Sequence, residues 1–337
     1  MADMMILGAG GFGTSLAVLL HQYGYDVILW SAFEREINEM RRYGENRRLL
    51  PGIAVDQSIR MTTDIAEAKG VKMFLFAVPS FALRQVAQQA KPYIEDDAVL
   101  VNVGKGFEEG TQKRLSVVLR EEYPKNPVVI LSGPSHAEEI ARGVPTTVVA
   151  TSENRQAAEL VQDTLMNANL RVYVNNDMIG VELGGALKNI IAVCAGICDG
   201  MGLGDNSKAA LMTRGIAEIS RLGVAMGAKV ETFAGLTGVG DLIVTCTSMH
   251  SRNRRAGIYI GQGLSMEEAV KRVGMTVEGC KACKSAYALA QEYGVDMPIV
   301  TELYQVLYEN KDIREALTDL MERPKRHEDE RIWLLSK

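Results

Sequence analysis

The chain has 337 residues, enough for two domains with substantial cores. Hydrophobic residues make up 47% and charged residues 23%, values of an ordinary soluble globular protein that exclude a disordered one. A net charge of −5 gives no basic surface for nucleic acid or for an anionic membrane.

The first half of the chain alternates short apolar runs with helical patterns. Runs of apolar and β-favouring residues predict strands at Met4–Leu7, Tyr25–Trp30, Lys72–Val78, Ala98–Val103, Val128–Leu131 and Thr146–Ala150. The segments between several of these runs predict helices over Thr14–Tyr23, Phe81–Ala90 and Thr111–Tyr123. Strands that alternate with helices are typical of a parallel sheet covered on both faces.

The second half of the chain has few strand-like runs. Helical patterns dominate it, at Gly180–Cys198, Ala209–Met226, Met266–Val273, Cys280–Glu292 and Thr301–Glu309. Ser265 with Glu268 forms a capping box at the start of one of these helices. The sequence therefore predicts an α/β fold class: a doubly wound parallel sheet in residues 1–179, followed by an all-α domain in residues 180–337.

We expect neither a targeting signal nor a membrane span in this chain. Its apolar N-terminus lacks a basic region and is interrupted by glycines, so we expect no signal peptide. The longest apolar stretch, Leu183–Ile197, contains Lys188, so we expect no membrane span. Five cysteines, an odd number, are typical of a reducing compartment, which favours a cytoplasmic protein.

Three glycines follow the first predicted strand in the pattern G-x-G-x-x-G: Gly8, Gly10 and Gly13. They allow, in order, a tight turn, close approach of the backbone to a pyrophosphate, and close helix–strand packing. The pattern alone is weak, but here it joins a strand to a helix and precedes a second strand. We interpret it as a Rossmann-type dinucleotide site, in preference to a structural turn.

The acid that usually binds the ribose 2′-hydroxyl of NAD is missing after the second strand. That strand ends in Trp30-Ser31-Ala32-Phe33, and no acid occurs before Glu34. Arg35 could pair with a 2′-phosphate, although a solvated arginine at a helix start explains it equally well. We therefore expect NADPH to be accepted, and the sequence does not rank it against NADH.

Two further segments follow predicted strands, at the sheet edge where ligands bind in open α/β folds. Lys105 lies between glycines in Val103–Gly106, and its alternative is an ordinary surface lysine. Gly133-Pro134-Ser135-His136-Ala137 offers backbone N–H groups to an anion. His136 could act as a base, but a structural role is favoured because nothing nearby orients it.

Lys188 lies inside the apolar pattern LGGALKNIIAVCAG, where burial would lower its pKa towards the range of a general acid or base. The alternative is a lysine at a helix edge that reaches solvent. Asp241, in Gly238-Val239-Gly240-Asp241, could orient or tune Lys188, or could cap a helix.

The run Ser251-Arg252-Asn253-Arg254-Arg255 concentrates hydrogen-bond donors suited to phosphate oxygens, although a solvated basic helix face is the rival interpretation. No cysteine or histidine spacing indicates a metal site. Cys280 and Cys283, like Cys194 and Cys198, lie in helical patterns, and no second C-x-x-C motif or paired histidine accompanies them. We expect a small phosphorylated substrate and no metal.

Nine blocks of sequence together resemble one family over nearly the whole chain, the bacterial NAD(P)-dependent glycerol-3-phosphate dehydrogenases. The blocks are ILGAGGFGTSLA, NRRLLPGI, FAVPS, GKGFEEGT, LSGPSHAEEIARGVPT, ELGGALKNIIAVCAGICDGMGLGDNSKAAL, GLTGVGDLIVTC, SRNRRAG and VEGC. The resemblance implies reversible reduction of dihydroxyacetone phosphate by NAD(P)H to sn-glycerol 3-phosphate, which supplies glycerophospholipid biosynthesis. It also implies a cytoplasmic homodimer.

The resemblance assigns roles to individual residues. Lys188 matches the proton donor and acceptor. Substrate contacts are implied for Lys105, Gly133, Ser135, Lys188, Asp241, Ser251, Arg252 and Asn253. Cofactor contacts are implied for Gly11, Phe12, Lys105, Ala137, Arg252 and Glu278, besides the turn formed by Gly8, Gly10 and Gly13.

The chain departs from the family pattern at three places. The family often has serine at Gly11, arginine or histidine near Ala32, and an aromatic residue in the Arg48-Leu49-Leu50 segment. Two other functions stay open. A β-hydroxyacid dehydrogenase has the same layout, but SRNRR with LSGPSHAEE favours a phosphate over a carboxylate. A non-catalytic NAD(P)H-binding regulator predicts loss of Lys188 or Asp241, and both are present.

Overall fold

A computed structural model describes residues 2–325 and 328. Its first half is built on a single eight-stranded sheet, and its second half consists of helices. The predicted fold class is therefore confirmed.

The sheet has the strand order β3-β2-β1-β4-β5-β6-β7-β8. Its strands are β1 (Met4–Leu7), β2 (Val27–Trp30), β3 (Arg60–Thr62), β4 (Met73–Phe76), β5 (Val99–Asn102), β6 (Val128–Ser132), β7 (Thr146–Thr151) and β8 (Leu170–Asn175). The chain reverses direction across the sheet at β1, so the carboxyl ends of β1 and β4 flank the crevice where this fold binds ligands.

The last two strands depart from the predicted parallel sheet. Strand β7 pairs antiparallel with β6, and β8 pairs parallel with β7. Between β6 and β7 the only helix is the five-residue Ala137–Ala141, which packs against the helix at Gly11–Gln22 and does not cover the sheet as a crossover helix. Strands β3 and β8 were not predicted.

The helices of the first half cover both faces of the sheet. They are α1 (Gly11–Gln22), α2 (Glu34–Tyr43), α3 (Leu83–Ala90), α4 (Leu115–Glu122), α5 (Ala137–Ala141) and α6 (Arg155–Leu165). Alternate strand residues point to opposite faces. On β1, Met4 and Ile6 therefore join one buried cluster, and Met5 and Leu7 join another.

The second half packs around one long helix. Its helices are α7 (Met178–Gly200), α8 (Asp205–Ala225), α9 (Val230–Phe233), α10 (Asp241–Thr247), α11 (Arg252–Gly261), α12 (Met266–Val273), α13 (Glu278–Glu292), α14 (Pro298–Tyr308) and α15 (Ile313–Met321). By length and composition α7 is apolar enough to cross a membrane, but 89% of its most apolar window is buried inside the fold. This burial is expected for the core helix of a soluble protein.

The change from sheet to helices takes place between Asn175 and Met178. The Asp177 carboxylate caps α7 by accepting a hydrogen bond from the Gly180 N–H, and it also accepts from the Lys229 N–H and the Thr232 hydroxyl. One buried carboxylate thus fixes the start of α7 against α9. The division into domains at residue 179 stays a prediction.

Candidate active site

A cleft at the carboxyl ends of β1, β4 and β5 brings together most of the predicted site residues. Those that line it are Gly10, Gly11, Phe12, Lys105, Ser135, Ala137, Lys188, Ser251, Arg252, Asn253 and Glu278. The other four lie behind its wall: Gly8 and Gly13 in the glycine turn, Gly133 as an acceptor for Lys105, and Asp241 beneath the two lysines. The second half contributes Lys188, Asp241 and the α11 and α13 residues, so the site needs both halves of the chain.

The glycine turn has the geometry that a dinucleotide requires. Gly8 has a φ of +119°, which other residues rarely adopt, and a side chain at Gly13 would overlap the Gly8 carbonyl oxygen. A Cβ at Gly10 would meet no atom within 4 Å, so the space above the turn is open. Helix α1 begins at Gly11, three residues earlier than predicted. Its N-cap residue is Gly10, so no N-cap side chain accepts a hydrogen bond from the first N–H groups of the helix. These residues fit a pyrophosphate at the helix N-terminus.

The structure explains why this chain has glycine at position 11, which the sequence alone does not. A Cβ placed there would lie 2.5 Å from the carbonyl oxygen of Leu49. The segment with the unusual Arg48-Leu49-Leu50 sequence therefore packs directly on the start of α1. Two of the places where the chain departs from the family pattern, Gly11 and this segment, are therefore in contact with each other.

The centre of the site is one buried carboxylate shared by two ammonium groups. The two oxygens of Asp241, the first residue of α10, accept from Lys188 Nζ at 2.5 Å and from Lys105 Nζ at 2.7 Å. The Asp241 side chain is 1% exposed, and that of Lys188 is 6% exposed. Asp241 therefore orients the lysines, and its side chain does not cap α10.

Further contacts fix both lysines. Lys188 Nζ also donates to the Thr245 hydroxyl at 2.5 Å, and that hydroxyl donates to the Asp241 carbonyl oxygen. Lys105 Nζ donates to the Gly133 carbonyl oxygen at 2.8 Å and lies 3.5 Å from Ser135 Oγ. The sequence interpretation missed Thr245, although it lies one helical turn after Asp241, on the same face of α10.

The lysine–aspartate cluster shifts the pKa values of its members. Burial lowers the pKa of Lys188 to about 8, with Asp241 opposing the change and Lys105 adding to it. Burial alone would raise the pKa of Asp241, but Lys105 and Lys188 hold it below its ordinary value. Lys188 can therefore gain or lose a proton near neutral pH, while Asp241 stays ionised.

The basic run of α11 separates into three roles. Ser251 caps the helix by accepting from the Arg254 N–H, and the Arg254 guanidinium pairs with Asp199 at 2.7 Å. The side chains of Arg252 and Arg255 make no hydrogen bond or ion pair with any residue of the described chain, and Arg255 Nε is also buried. Both line the cleft, as expected of cations that await an anionic ligand.

Two other side chains tie the second half of the chain to the cleft. The Asn253 amide donates to Asn189 Oδ1 and accepts from the Gly279 N–H, each at 2.9 Å, which joins α11 to α7 and α13. The Glu278 carboxylate accepts from the Ser80 hydroxyl at 2.9 Å, just beyond β4. Burial raises the pKa of Glu278, which Ser80 and Arg252 oppose.

His136 has the surroundings of a structural residue. Its Nε2 lies 3.4 Å from the Val244 carbonyl oxygen, and burial, with Lys188 nearby, lowers the pKa of its ring. Its ring faces His250 at a centroid distance of 5.8 Å, and no carboxylate hydrogen-bonds to it in the described chain.

Residues 2–325 contain no group of three His, Cys, Asp or Glu side chains that could hold a metal ion.

Comparisons with known proteins agree with this geometry. The family model described as NAD-dependent glycerol-3-phosphate dehydrogenase N-terminus matches residues 3–158, and the corresponding C-terminus model matches residues 177–318. The chain is 54% identical to a glycerol-3-phosphate dehydrogenase [NAD(P)+] of Clostridium perfringens, over 98% of this chain and 100% of that protein. It is also 54% identical to the enzyme of that name from Moorella thermoacetica, over 97% and 98% of the two chains.

A solved structure is similar over almost the whole fold. The crystal structure of glycerol-3-phosphate dehydrogenase from Coxiella burnetii matches with a TM-score of 0.92 and 40% sequence identity. The match covers 96% of this chain and 99% of that chain.

The two adjacent glycines at the start of α1 predict opposite mutational outcomes. We expect Gly10→Ala to leave the melting temperature unchanged, because its φ of −67° suits alanine and the added methyl meets no atom. That methyl should weaken NADH binding roughly tenfold or more, about 1.4 kcal/mol, by filling the pyrophosphate approach. Gly11→Ala should lower the stability by about 1–3 kcal/mol through the clash with Leu49.

Thermal melts and NADH fluorescence titrations of the two variants check this prediction. A Gly10→Ala protein that binds NADH as tightly as the parent would show that the pyrophosphate lies elsewhere. An equally stable Gly11→Ala protein would contradict the close packing of Leu49 on α1.

Proposed function

Because the chain belongs to the NAD-dependent glycerol-3-phosphate dehydrogenase family, we propose how the residues of its cleft reduce dihydroxyacetone phosphate reversibly to sn-glycerol 3-phosphate. The chain is an NAD(P)-dependent oxidoreductase, and its product places it in glycerophospholipid metabolism. When bound, NAD(P)H supplies the hydride. The observation that carries the proposal is the buried Asp241 carboxylate between Lys105 and Lys188.

Lys188 is the proton donor in the reduction and the proton acceptor in the oxidation. An ammonium group has three N–H donors, and two of those on Lys188 are occupied by Asp241 and Thr245. The third is free to donate to the C2 oxygen of the substrate as that oxygen gains negative charge. A pKa of about 8 suits proton transfer in both directions near neutral pH.

Asp241, Thr245 and Lys105 position and tune this proton donor. Asp241 stabilises the protonated form of Lys188, and Thr245 holds the Nζ atom against α10. Lys105 forms an ion pair with the second oxygen of Asp241, and its positive charge lowers the pKa of Lys188. We assign Lys105 a further contact with the substrate, because its Nζ lies beside Gly133 and Ser135 at the cleft wall.

Cofactor and substrate phosphates occupy different parts of the cleft in this proposal. The residues proposed to hold the cofactor lie in the glycine turn and the first turns of α1, α5 and α13, together with Lys105 and Arg252, which both ligands share. They are Gly8, Gly10, Gly11, Phe12, Gly13, Lys105, Ala137, Arg252 and Glu278. The residues proposed to hold the substrate surround the lysine–aspartate cluster and the start of α11: Lys105, Gly133, Ser135, Lys188, Asp241, Ser251, Arg252 and Asn253. Arg255 joins Arg252 as a second unpaired cation.

The two alternative functions receive less support. A β-hydroxyacid dehydrogenase would need a carboxylate in place of the phosphate, whereas the family matches cover both halves of the chain. A non-catalytic regulator has no use for a buried lysine with a pKa of about 8.

We also propose a cytoplasmic homodimer with a domain boundary at residues 179 and 180. All five cysteines are free, and burial raises the pKa of each thiol, which suits a reducing compartment. Strand β8 is at the edge of the sheet, and Tyr173 and Val174 on it are exposed, as are Leu160 and Met166 near α6. An edge strand with exposed apolar side chains offers its backbone groups to a second copy of the chain.

The reaction itself is tested by oxidation of NADH or NADPH, followed by absorbance, with dihydroxyacetone phosphate present. We expect Lys188→Met to lower kcat by roughly 10²–10⁴, because the general acid is lost while the apolar bulk stays. The melting temperature should fall, because the buried Asp241 loses one of its two cations. NADH binding should remain close to that of the parent, which separates lost catalysis from lost folding. Parent-like turnover in Lys188→Met would assign the proton transfer to another group, and no oxidation by the parent protein would reject the reaction.

The pH dependence of the reduction should report Lys188. A lysine with a pKa of about 8 is protonated below that pH, so kcat/KM for reduction, which reflects the free enzyme, should fall as the pH rises above it. Asp241 raises the pKa of Lys188, so Asp241→Asn should move this fall to lower pH. The control is Asp319→Asn, which removes a carboxylate of α15 that pairs with Lys311. It should leave the pH dependence of the reduction unchanged. If Asp241→Asn loses activity at the same high pH as the parent, Asp241 does not raise the pKa of Lys188.

The unpaired arginines should govern affinity for the phosphorylated substrate. Arg252→Ala removes a charged hydrogen bond of about 1.5–3 kcal/mol, so KM for dihydroxyacetone phosphate should rise roughly ten- to hundredfold. We expect Arg255→Ala to weaken binding of substrate or cofactor in the same range. Arg254→Ala is the control on the same helix, because its guanidinium is bound by Asp199. Steady-state kinetics with each ligand varied in turn would contradict the proposal if Arg254, and not Arg252, controlled KM.

A further inference from the structure

The residues beyond the carboxyl end of β2 bear on the choice between NADH and NADPH, which the sequence leaves open. Ser31 follows β2 directly, and its N–H donates to the Thr62 carbonyl oxygen of β3. The Gly8 N–H donates to the Trp30 carbonyl oxygen, so Ser31 adjoins the first glycine of the turn. In this fold the ribose that carries the 2′-hydroxyl or 2′-phosphate lies here.

The structure brings a carboxylate to this position from the next helix. Glu36, in the first turn of α2, accepts a hydrogen bond from the Ser31 hydroxyl at 2.6 Å. Its side chain is only 17% exposed. The sequence interpretation missed Glu36 because it considered acids at the end of β2, whereas this one reaches back over the turn Ala32-Phe33.

The cation beside this carboxylate is Arg48, not Arg35. Arg48 Nη2 donates to the second oxygen of Glu36 at 3.0 Å. The Arg35 guanidinium instead pairs with Glu39, one turn along the exposed side of α2, and its side chain is 78% exposed. The site next to Ser31 thus contains one carboxylate held in place and one guanidinium that partly neutralises it.

We propose that Glu36 makes the enzyme prefer NADH to NADPH, and that Arg48 is the residue that permits NADPH to bind at all. The Glu36 carboxylate accepts a hydrogen bond from a ribose hydroxyl, whereas a 2′-phosphate at the same place meets a like charge. Arg48 can leave Glu36 to pair with that phosphate, which exposes the carboxylate and keeps the preference for NADH. The inference rests on the proposed cofactor position in the cleft.

Direct binding of the two cofactors tests the inference without any substrate. Fluorescence titrations of the full chain give a Kd for NADH and a Kd for NADPH. We expect the parent protein to bind NADH roughly tenfold or more tightly, because a like-charge contact is costly at a binding site. Glu36→Gln should keep the contact with Ser31, lose the charge, and bring the two Kd values within about threefold of each other. Arg48→Gln should weaken NADPH binding further and change NADH binding little.

Two matched variants on α2 complete the experiment. Glu39→Gln removes an equivalent carboxylate one turn away and should leave the ratio of the two Kd values unchanged. Arg35→Gln should also leave it unchanged. A parent protein that binds NADPH as tightly as NADH, a Glu36→Gln protein with the parent ratio, or an effect on NADPH in Arg35→Gln and not in Arg48→Gln would each overturn the inference.

The outcome is separable from that of the proposed reaction. If the protein has the expected Kd ratios but does not reduce dihydroxyacetone phosphate, the reaction is rejected and the role of Glu36 stands. If it reduces dihydroxyacetone phosphate but Glu36→Gln has the parent ratio, the reaction stands and the role of Glu36 is rejected. Melting temperatures of all variants identify any that fail to fold.

Discussion

The active site depends on keeping the ionised Asp241 carboxylate in the interior of the fold. A buried charge without partners costs several kcal/mol, so each oxygen of Asp241 needs a cation, and Lys105 and Lys188 supply them. The three groups come from the loop after β5, the middle of α7 and the first residue of α10. Removing either lysine would leave a partly unpaired buried charge. The cluster that orients the proton donor therefore also constrains how the sheet and the helices meet.

Close backbone packing and a second buried carboxylate hold α7 in the position this cluster requires. A Cβ at Gly184 would lie 2.6 Å from the Thr237 carbonyl oxygen, and one at Gly185 would lie 2.7 Å from Ser132 Oγ. Glycine at both positions lets α7 approach the segment before α10 and the end of β6. Nearer the start of α7, Glu182 accepts from the Arg114 guanidinium at 2.6 Å and the Ser116 N–H at 2.8 Å. The helix that carries Lys188 is thus fixed against β6, the start of α4 and the segment before α10.

Sequence patterns predicted the features that depend on neighbouring residues and missed those that depend on tertiary contacts. The glycine turn, the capping box at Ser265 and the burial of Lys188 follow from local spacing and apolar surroundings, and the structure agrees with them. Strand β8 has alternating exposed residues and an arginine at Arg171, so no apolar run marked it. The direction of β7 depends on where α5 packs. Thr245 and Glu36 were missed because their partners are known only once α10 and α2 are in place.

The division of cations into paired and unpaired groups links ligand binding to proton transfer. Lys105 and Lys188 form ion pairs with Asp241, whereas Arg252 and Arg255 form no ion pair with a residue of the described chain. A phosphate that binds the unpaired arginines adds negative charge to the same cleft. Negative charge favours the protonated form of a nearby amine, so it should raise the pKa of Lys188 above its value of about 8 in the free protein. The proton donor would then be most fully protonated when the substrate that needs its proton is bound.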